Sequence, residues 1–292
     1  MNFETPKNPG KKFRTAWQTE TIAIPGVFNA LIAKMAETLG FRAVYLSGGA
    51  LSAASGVPDV GLLTLTDFVN EARTIAQATS LPLLCDADTG FGEVLNVERT
   101  VRQFEAAGVA GIHLEDQVLP KRCGHLSGKT LIEPEAMAAK IRAAVTARTC
   151  PDFVIMARTD ARGVNGFADA VARAHLYLQA GADAIFPEAM QSEEEFAQFA
   201  REVPDAVLLA NNTEFGKSPN LDVPQLAKLG YRMVLYPLTV FRSALNAARE
   251  TLQDLRDLGH QRDRIPHMLT RKELYALLGY EDYEMRDREY FG

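Results

Sequence analysis

The sequence is poor in cysteine, with only Cys85, Cys123 and Cys150 among its 292 residues. Three cysteines cannot form a closed disulfide framework, and their spacing is not that of a zinc ribbon. Long apolar runs are missing too, since none approaches the roughly 18–20 residues that span a bilayer. The polar N-terminus lacks the apolar segment of a secretory signal. These absences predict a protein that has no membrane contact and resides in the cytoplasm.

Basic residues are fewer than acidic residues. The chain has 31 Lys and Arg against 37 Asp and Glu, which gives a net charge of −6 and a pI of about 5.5. Such a chain lacks the basic surface that binds a phosphate backbone, so nucleic acid is not an expected partner. The motif G-x-S-x-G, the P-loop and H-E-x-x-H are missing, which argues against common hydrolases, nucleotide-binding proteins and zinc proteases.

The sequence repeats one unit, in which a short apolar run is followed by a longer segment with helical spacing. The runs lack in/out alternation, which is typical of parallel strands that are buried on both faces. Eight such units, in a chain slightly above the ~250 residues typical of the fold, predict an α/β protein with a (β/α)8 TIM barrel. A doubly wound open sheet is the alternative, although its G-x-G-x-x-G turn is missing. Predicted strands are 21–28, 43–46, 81–87, 111–115, 153–159, 184–188, 206–211 and 233–236, and predicted helices are 29–39, 65–78, 94–107, 134–147, 167–180, 193–203, 223–229 and 241–258.

No linker rich in Pro, Gly or Ser divides the chain. We therefore expect a single barrel domain over residues 1–292, with a helical C-terminal tail from about 263 to 292. The tail is charged and aromatic. Helices beyond a closed barrel often pack on another subunit, so exchange of the tail between subunits is one expectation. Covering the bottom of the barrel is an equally good role for it.

Charged and amide side chains follow the predicted strands, at the end of a barrel where active sites lie. Full charges are costly near a core unless they are paired or bind a metal or a ligand. The residues at these ends are Ser47, Gly48, Gly49, Asp86, Asp88, Glu115, Asp116, Arg158, Thr159, Asp160, Glu188, Asn211, Asn212, Thr213 and, after the eighth strand, Arg242. Their convergence predicts an active site.

Asp86 and Asp88 are candidates for a metal site. A period of two places both carboxylates on one side of an extended chain, about 6.6 Å apart. A hard divalent cation suits this pair, because Mg²⁺ typically takes one or two carboxylates and keeps several waters. Glu115 and Asp59 are candidate acceptors around those waters. The alternative is a capping aspartate and a turn aspartate ahead of Gly90.

The segment K-R-C-G-H at 121–125 follows the fourth predicted strand. Pro120 and Gly128 punctuate it together with its own glycine, so a mobile loop is expected. Cys123 lies among three groups that can be cationic, which draws a thiol pKa toward neutrality and lets the thiol transfer protons or act as a nucleophile. An exposed loop with incidental charges is the alternative. Cys85 lies inside an apolar run and is expected to be a core residue.

The remaining strand ends offer groups that bind carboxylates. Arg158 suits bidentate binding, but an ion pair with Glu188 or Asp160 is an equal alternative. Asn211-Asn212-Thr213 offers amides and a hydroxyl to a second carboxylate, or forms a turn. His113 is expected to be a hydrogen-bonded core residue beside the site. Together these residues predict a small, anionic, oxygen-rich substrate whose cleavage generates carbanion or enolate charge.

Seven motifs cover nearly the whole chain: Y-L-S-G-G (45–49), D-A-D-T-G-F-G (86–92), H-L-E-D-Q (113–117), K-R-C-G-H (121–125), M-A-R-T-D (156–160), F-P-E-A (186–189) and L-Y-P-L (235–238). They resemble the motifs of the isocitrate lyase/phosphoenolpyruvate mutase superfamily, most closely those of its 2-methylisocitrate lyase branch. The mutase and phosphonopyruvate hydrolase branch lacks the cysteine of the K-R-C-G-H loop. Isocitrate lyases are longer and carry bulkier or more polar residues where this chain has Phe186, Leu235 and Pro237.

The resemblance implies roles for individual residues. Asp86 and Asp88 hold Mg²⁺. Cys123 is the acid/base on the loop, and Tyr45 or Glu115 is the base that takes the hydroxyl proton of the substrate. The other implied residues are Asp59 and His113 around the metal's waters, Lys121, Arg122 and His125 as the cationic groups of the loop, and Ser47, Gly48, Gly49, Gly124, Arg158, Glu188, Asn211, Asn212, Thr213, Arg242 and Arg271 as substrate contacts. Asn212 departs from the apolar residue that is usual at its place.

The implied reaction is a Mg²⁺-dependent cleavage of 2-methylisocitrate to pyruvate and succinate, a step of the methylcitrate cycle in propionate catabolism. The implied partner is thus a small di- or tricarboxylate. A related lyase or hydrolase acting on dimethylmalate, oxaloacetate or isocitrate is the first alternative. A non-catalytic barrel is the second, although a scaffold has no reason to keep an activated thiol beside a metal site. Relatives are commonly tetramers with exchanged C-terminal helices, so a homotetramer is expected.

Overall fold

The computed structural model describes residues 8–122, 124 and 128–291, and within these ranges the chain forms eight strands and twelve α-helices. The strands are β1 (Ile22–Pro25), β2 (Val44–Leu46), β3 (Leu83–Asp86), β4 (Gly111–Glu115), β5 (Val154–Thr159), β6 (Ala184–Pro187), β7 (Leu209–Asn211) and β8 (Met233–Tyr236). The helices are α1 (Pro9–Thr19), α2 (Ala30–Thr38), α3 (Gly48–Ala54), α4 (Leu65–Ala78), α5 (Val94–Ala106), α6 (Pro134–Ala147), α7 (Phe167–Gln179), α8 (Glu193–Glu202), α9 (Val223–Lys228), α10 (Thr239–Leu258), α11 (Arg271–Leu278) and α12 (Tyr280–Phe291). The largest differences from the predicted boundaries are at the end of β1 and the start of β7.

The strands form a closed cylinder. Parallel pairing joins β2 through β6 in chain order, and β8 lies between β1 and β7. Two parallel bridges complete the circle, since Gly26 with Tyr45 joins β1 to β2 and Ile185 with Leu208 joins β6 to β7. The first and last strands are therefore neighbours. The fold is the predicted (β/α)8 barrel and not the doubly wound open sheet.

Side chains alternate between the inside and the outside of the barrel, and both sets are buried. Tyr45, Leu84 and Met156 belong to a cluster on the barrel axis. Cys85 and Ile155 belong to a second cluster, which packs against the helices. Every residue of β2 to β7 is buried. Both faces are covered, which explains why the strands read as continuous apolar runs.

Helix α1 was not predicted, and it closes the N-terminal end of the barrel. Phe13 and Trp17 are buried in the axial cluster, with their ring centroids 4.6 Å apart. Gly10 lies so close to the segment before β5 that an added Cβ would be 2.3 Å from the carbonyl oxygen of Asp152. With this end filled, a ligand enters the barrel from the opposite end, where the strands finish.

The C-terminal tail extends beyond the barrel. A 3-10 turn (Arg262–His267) leads from α10 to α11 and α12, and α11 lies against α2. The tail exposes large apolar side chains such as Ile265, Met268 and Leu269. Among the helices of the described residues, none has both the length and the apolar character to cross a membrane.

Candidate active site

Polar side chains at the strand ends point toward the barrel axis, on the same side of each strand as the residues of the axial cluster. Arg158 follows Met156 by two residues on β5, and Glu188 follows Phe186 by two residues at the end of β6, so the period of two carries each side chain toward the axis. One cavity collects them, and it is lined by Tyr45, Ser47, Gly49, Asp59, Asp86, Lys121, Arg122, Gly124, Arg158, Phe186, Glu188, Asn211, Thr213, Leu235, Pro237 and Leu238. Most of the site residues predicted from the sequence therefore lie around one opening.

Asp86 ends β3 and is held by backbone groups. The Gly48 N–H donates to Oδ2 at 3.1 Å, and the Asp88 N–H donates to Oδ1 at 2.9 Å. An added Cβ at Gly48 would lie 2.8 Å from Oδ2, so this approach requires glycine. Burial alone would raise the pKa of Asp86, but His113 and Lys121 lower it to about 2. Asp86 is therefore a carboxylate at neutral pH.

Lys121 is buried between two acidic residues. Its Nζ lies 2.5 Å from Asp59 Oδ1 and 2.7 Å from Asp88 Oδ1. Burial and the charge of Asp86 raise the pKa of Asp88 to about 7. Burial alone would lower the pKa of Lys121, but Glu115, Asp86 and Asp88 raise it above its usual range. The lysine therefore stays cationic and neutralises part of the acidic charge.

Glu115 ends β4 and, like Asp86 and Asp88, offers carboxylate oxygens. It is buried, and neither of its carboxylate oxygens has a hydrogen-bond partner among the described residues. Carboxylate oxygens suit a hard cation such as Mg²⁺. Within the described part of the chain, no three His, Cys, Asp or Glu side chains are placed to hold a metal ion together. The residues fit an ion that takes two carboxylates and completes its coordination with water.

Tyr45 and His113 form a buried pair beside Asp86. The Tyr45 hydroxyl lies 2.8 Å from His113 Nε2 and donates to Asp86 Oδ2 at 3.4 Å, and the two rings stack 5.7 Å apart. Burial lowers the pKa of His113 to about 4, so the imidazole is neutral at pH 7. Burial raises the pKa of the Tyr45 phenol well above its usual value. The pair is therefore neutral and hydrogen-bonded.

Arg158 is the centre of an ion-pair cluster. Its guanidinium contacts Asp160 through Nε at 3.0 Å and Nη2 at 3.2 Å. Nη2 lies 3.1 Å from Glu188 Oε2, and Nη1 lies 3.4 Å from Glu115 Oε2. The guanidinium also stacks on Phe186, 5.1 Å from the ring centroid. The sequence left two roles open for Arg158, an ion pair and the binding of a substrate carboxylate. The structure contains the ion pairs with Asp160 and Glu188, and Arg158 also lies on the cavity wall.

Some predicted substrate contacts do not line the cavity. Asn212 donates from Nδ2 to the Leu221 carbonyl at 2.6 Å. Arg242 pairs with Glu214, with Nη1 2.8 Å from Oε2. Arg271 is exposed at the start of α11. Their contacts with a substrate remain predictions.

Cys123 and His125 lie outside the described residues, but Gly124 between them is described. An added Cβ at Gly124 would lie 2.4 Å from Arg158 Nη2 and 2.5 Å from Glu188 Oε2. The backbone of the loop after β4 therefore packs directly on the Arg158 cluster, and only glycine leaves room for this approach.

Gln117 and Lys129 are not among the site residues that the sequence predicts, yet both are buried beside the site. The Gln117 side chain exchanges two hydrogen bonds with the Arg122 backbone, at 2.8 and 2.9 Å. Lys129 Nζ lies 2.6 Å from Asp160 Oδ1 and donates to the Gly124 carbonyl. Neither residue type is unusual in a loop. The sequence offers two signals: Gln117 closes the H-L-E-D-Q motif, and Lys129 lies shortly after the K-R-C-G-H motif.

Known proteins are similar to this chain over nearly all of its length. The sequence profile of the family described as phosphoenolpyruvate phosphomutase matches residues 13–256. A 2-methylisocitrate lyase of Aeropyrum pernix is 51% identical over 98% of this chain and 92% of its own. The structure of an oxaloacetate acetylhydrolase in complex with the inhibitor 3,3-difluorooxalacetate has a TM-score of 0.93 and 36% identity over 98% of both chains. That of a phosphonopyruvate hydrolase in complex with oxalate and Mg²⁺ has a TM-score of 0.89 and 32% identity, over 98% of this chain and all of the other.

Proposed function

Because the chain belongs to the phosphoenolpyruvate phosphomutase family, we propose that it is a carbon–carbon lyase that cleaves 2-methylisocitrate to pyruvate and succinate. The cavity carries this proposal, since it combines an acidic floor, the Arg158 guanidinium and an apolar wall of Phe186, Leu235 and Pro237. The substrate has matching groups, namely a hydroxyl beside a carboxylate, further carboxylates and a methyl group. A relative that is 51% identical over 98% of the chain bears the name of this reaction.

Asp86 and Asp88 would hold Mg²⁺ in this site, with Glu115 and Asp59 near its waters. When bound, the ion supplies a Lewis acid that polarises the hydroxyl and the neighbouring carboxylate of the substrate. Ser47 lines the cavity beside these acids and would contact the same end of the substrate. The solved complex of a phosphonopyruvate hydrolase with oxalate and Mg²⁺ supports Mg²⁺ as the ion.

Glu115 is suited to accept the hydroxyl proton of the substrate. A base must be ionised before it accepts a proton. Burial raises the pKa of Glu115, and the Arg158 and Lys121 cations oppose that rise by stabilising the carboxylate. Its oxygens have no hydrogen-bond partner among the described residues. Tyr45 is less suited, because its raised pKa keeps the phenol protonated at neutral pH. We therefore assign the base to Glu115.

Cys123 is proposed to supply the second proton transfer. When the carbon–carbon bond breaks, its electron pair passes to the succinate fragment, and Cys123 donates a proton to that carbon. The cationic Lys121 and Arg158 lie on the cavity wall. They would stabilise the negative charge that the succinate fragment carries before it is protonated. One turnover leaves Glu115 protonated and Cys123 as a thiolate, and proton exchange with solvent restores both.

Product formation from four acids tests this function. The protein is incubated with 2-methylisocitrate, isocitrate, 2,3-dimethylmalate and oxaloacetate, with Mg²⁺ or with excess EDTA, and products are measured by mass spectrometry. We expect 2-methylisocitrate to be cleaved fastest. Because one methyl-sized group in an apolar pocket is worth about 1–3 kcal/mol, the preference over isocitrate should be about 10- to 200-fold. EDTA should remove the activity and added Mg²⁺ restore it.

Other outcomes of this assay would change the assignment. Fastest cleavage of oxaloacetate to oxalate and acetate would identify a hydrolase instead. Rates that survive exhaustive chelation would contradict the metal role of Asp86 and Asp88. If no product forms from any of the four acids, the result would favour the non-catalytic barrel.

The C-terminal tail is proposed to pack on a second copy of the chain in a tetramer. Leu252, Leu255 and Leu258 on α10 are 67%, 44% and 52% exposed, and the tail exposes further large apolar side chains such as Ile265 and Leu269. Light scattering should give four times the 32.0 kDa chain mass. Leu252→Asp should lower that mass, whereas Leu95→Asp, at a position on α5 that is 77% exposed, should not. A wild-type monomer would contradict the proposal.

A further inference from the structure

The backbone of Arg122, the residue before Cys123, is held by the side chain of Gln117. The Arg122 N–H donates to Oε1 at 2.9 Å, and Nε2 donates to the Arg122 carbonyl at 2.8 Å. A primary amide can bind the N–H and the carbonyl of one residue in this way because it carries a donor and an acceptor side by side. Gln117 is 1% exposed, and its own backbone pairs with Leu131 in an antiparallel bridge. The amide is therefore anchored at the base of the loop.

The carbonyl of Gly124, the residue after Cys123, is held by Lys129. Lys129 Nζ donates to this carbonyl and lies 2.6 Å from Asp160 Oδ1, with the two side chains 2% and 0% exposed. Asp160 pairs in turn with Arg158 through both of its oxygens. Two buried ion pairs thus connect the Gly124 backbone to the guanidinium on the cavity wall.

We propose that Gln117 and Lys129 are positioning residues that hold the backbones of Arg122 and Gly124, the residues on either side of Cys123, beside the Arg158 cluster. This inference rests on the proposed function, in which Cys123 protonates the succinate fragment. The two contacts bracket a single residue, and their side chains are tied to Arg122, Gly124 and Asp160 rather than presented to the cavity, so each acts through the backbone.

Two substitutions remove these contacts while nearly preserving side-chain size. Lys129→Met removes the ammonium, and Gln117→Leu removes both amide hydrogen bonds. Because a misplacement of about 1 Å can cost about 10²-fold in rate, each should lower kcat by about that factor and change KM by less than about threefold. Lys129→Arg keeps a cation that can span Asp160 and a carbonyl, so it should recover at least about tenfold of the lost kcat.

Hydrogen–deuterium exchange of the peptide 117–132 gives a readout that needs no substrate. Both Lys129→Met and Gln117→Leu should speed exchange there. Arg148→Met is the matched control, because Arg148 Nη1 also bridges a carboxylate (Asp183, 2.5 Å) and a carbonyl (Phe153, 2.8 Å), at the opposite end of the barrel. It should lower thermal stability and leave both kcat and exchange in 117–132 unchanged.

Wild-type kcat together with wild-type exchange in both variants would overturn the inference. An equal loss of kcat in Arg148→Met would also overturn it, because the effect would then be general destabilisation. If the wild-type protein forms no product from any of the four acids, the proposed function fails, while the exchange experiment still decides whether the two side chains restrain the loop.

Discussion

Arg158→Met is expected to lower kcat/KM by about 10³-fold, because it removes donors from the cavity wall in a buried site. The free energy of unfolding should fall by about 3–5 kcal/mol as well, since breaking a buried ion pair leaves an uncompensated charge. Arg158 is 8% exposed, and its guanidinium contacts Asp160, Glu188 and Glu115. Urea unfolding followed by circular dichroism and steady-state kinetics measure the two effects.

The stability loss in Arg158→Met should shrink as the pH falls. Burial alone would raise the pKa of Asp160, but Arg158 and Lys129 lower it below the unfolded value of about 3.9. A carboxylate with a lowered folded-state pKa contributes stability that is full above its unfolded pKa and is lost as the pH falls through the folded pKa. Without Arg158 most of that contribution disappears. The difference between wild type and variant should therefore be larger at pH 7 than at pH 3.

Two further variants make the Arg158 result interpretable. Arg162→Met removes the neighbouring bidentate pair with Glu195, at 2.8 and 2.6 Å, which is partly exposed. Exposed pairs contribute about 0–1 kcal/mol, and this pair is more exposed than the Arg158 cluster, so the variant should lose less stability than Arg158→Met and keep its activity. Arg158→Lys retains the charge but not the planar fork, so it should recover stability more than activity. If Arg162→Met lost as much stability and activity as Arg158→Met, the effects could not be assigned to the Arg158 cluster.

The barrel and the floor of the site could be predicted because local patterns encode them. Glu115 is the last residue of an apolar run, and Arg158 and Glu188 each follow a buried apolar residue by two positions. A period of two fixes which side of a strand a residue faces, and parallel strands of a barrel finish at one end. Both the face of a residue and the end of the barrel at which it lies therefore follow from the local sequence, without knowledge of contacts that are distant in the chain.

The partners of Lys121 and Lys129 could not be predicted, since they depend on how the loops fold back. Lys121 lies after β4, yet it pairs with Asp59, which lies between α3 and α4. The contact of Lys129 with Asp160 likewise joins two separate loops. Helix α1 was not predicted because lysines, an arginine and threonines surround the two aromatic residues that fill the N-terminal end of the barrel. A composition dominated by polar residues conceals a buried pair four positions apart.

Cys123→Ser is expected to lower kcat by about 10³-fold, because a serine hydroxyl is a far weaker acid than a thiol and proton transfer by a positioned acid contributes about 10²–10⁴-fold. Its described neighbours Lys121, Arg122 and Gly124 all line the cavity, and the first two are cationic. KM should change little, because the substrate contacts proposed for Arg158 and Ser47 stay in place. Single-turnover and steady-state kinetics separate the two parameters.

Metal binding should survive in Cys123→Ser, since the proposed ligands are Asp86 and Asp88. At a Mg²⁺ concentration of 100 times Kd, stabilisation of about 2.7 kcal/mol is expected in both proteins, seen as equal upward shifts in Tm. Cys150→Ser is the control, because Cys150 lies at the opposite end of the barrel, with its Sγ 3.5 Å from Asn8 Oδ1. Its kcat should match that of wild type. Full turnover by Cys123→Ser would contradict the acid/base role of the thiol, and loss of the Mg²⁺-induced shift would mean that the cysteine acts on the metal site instead.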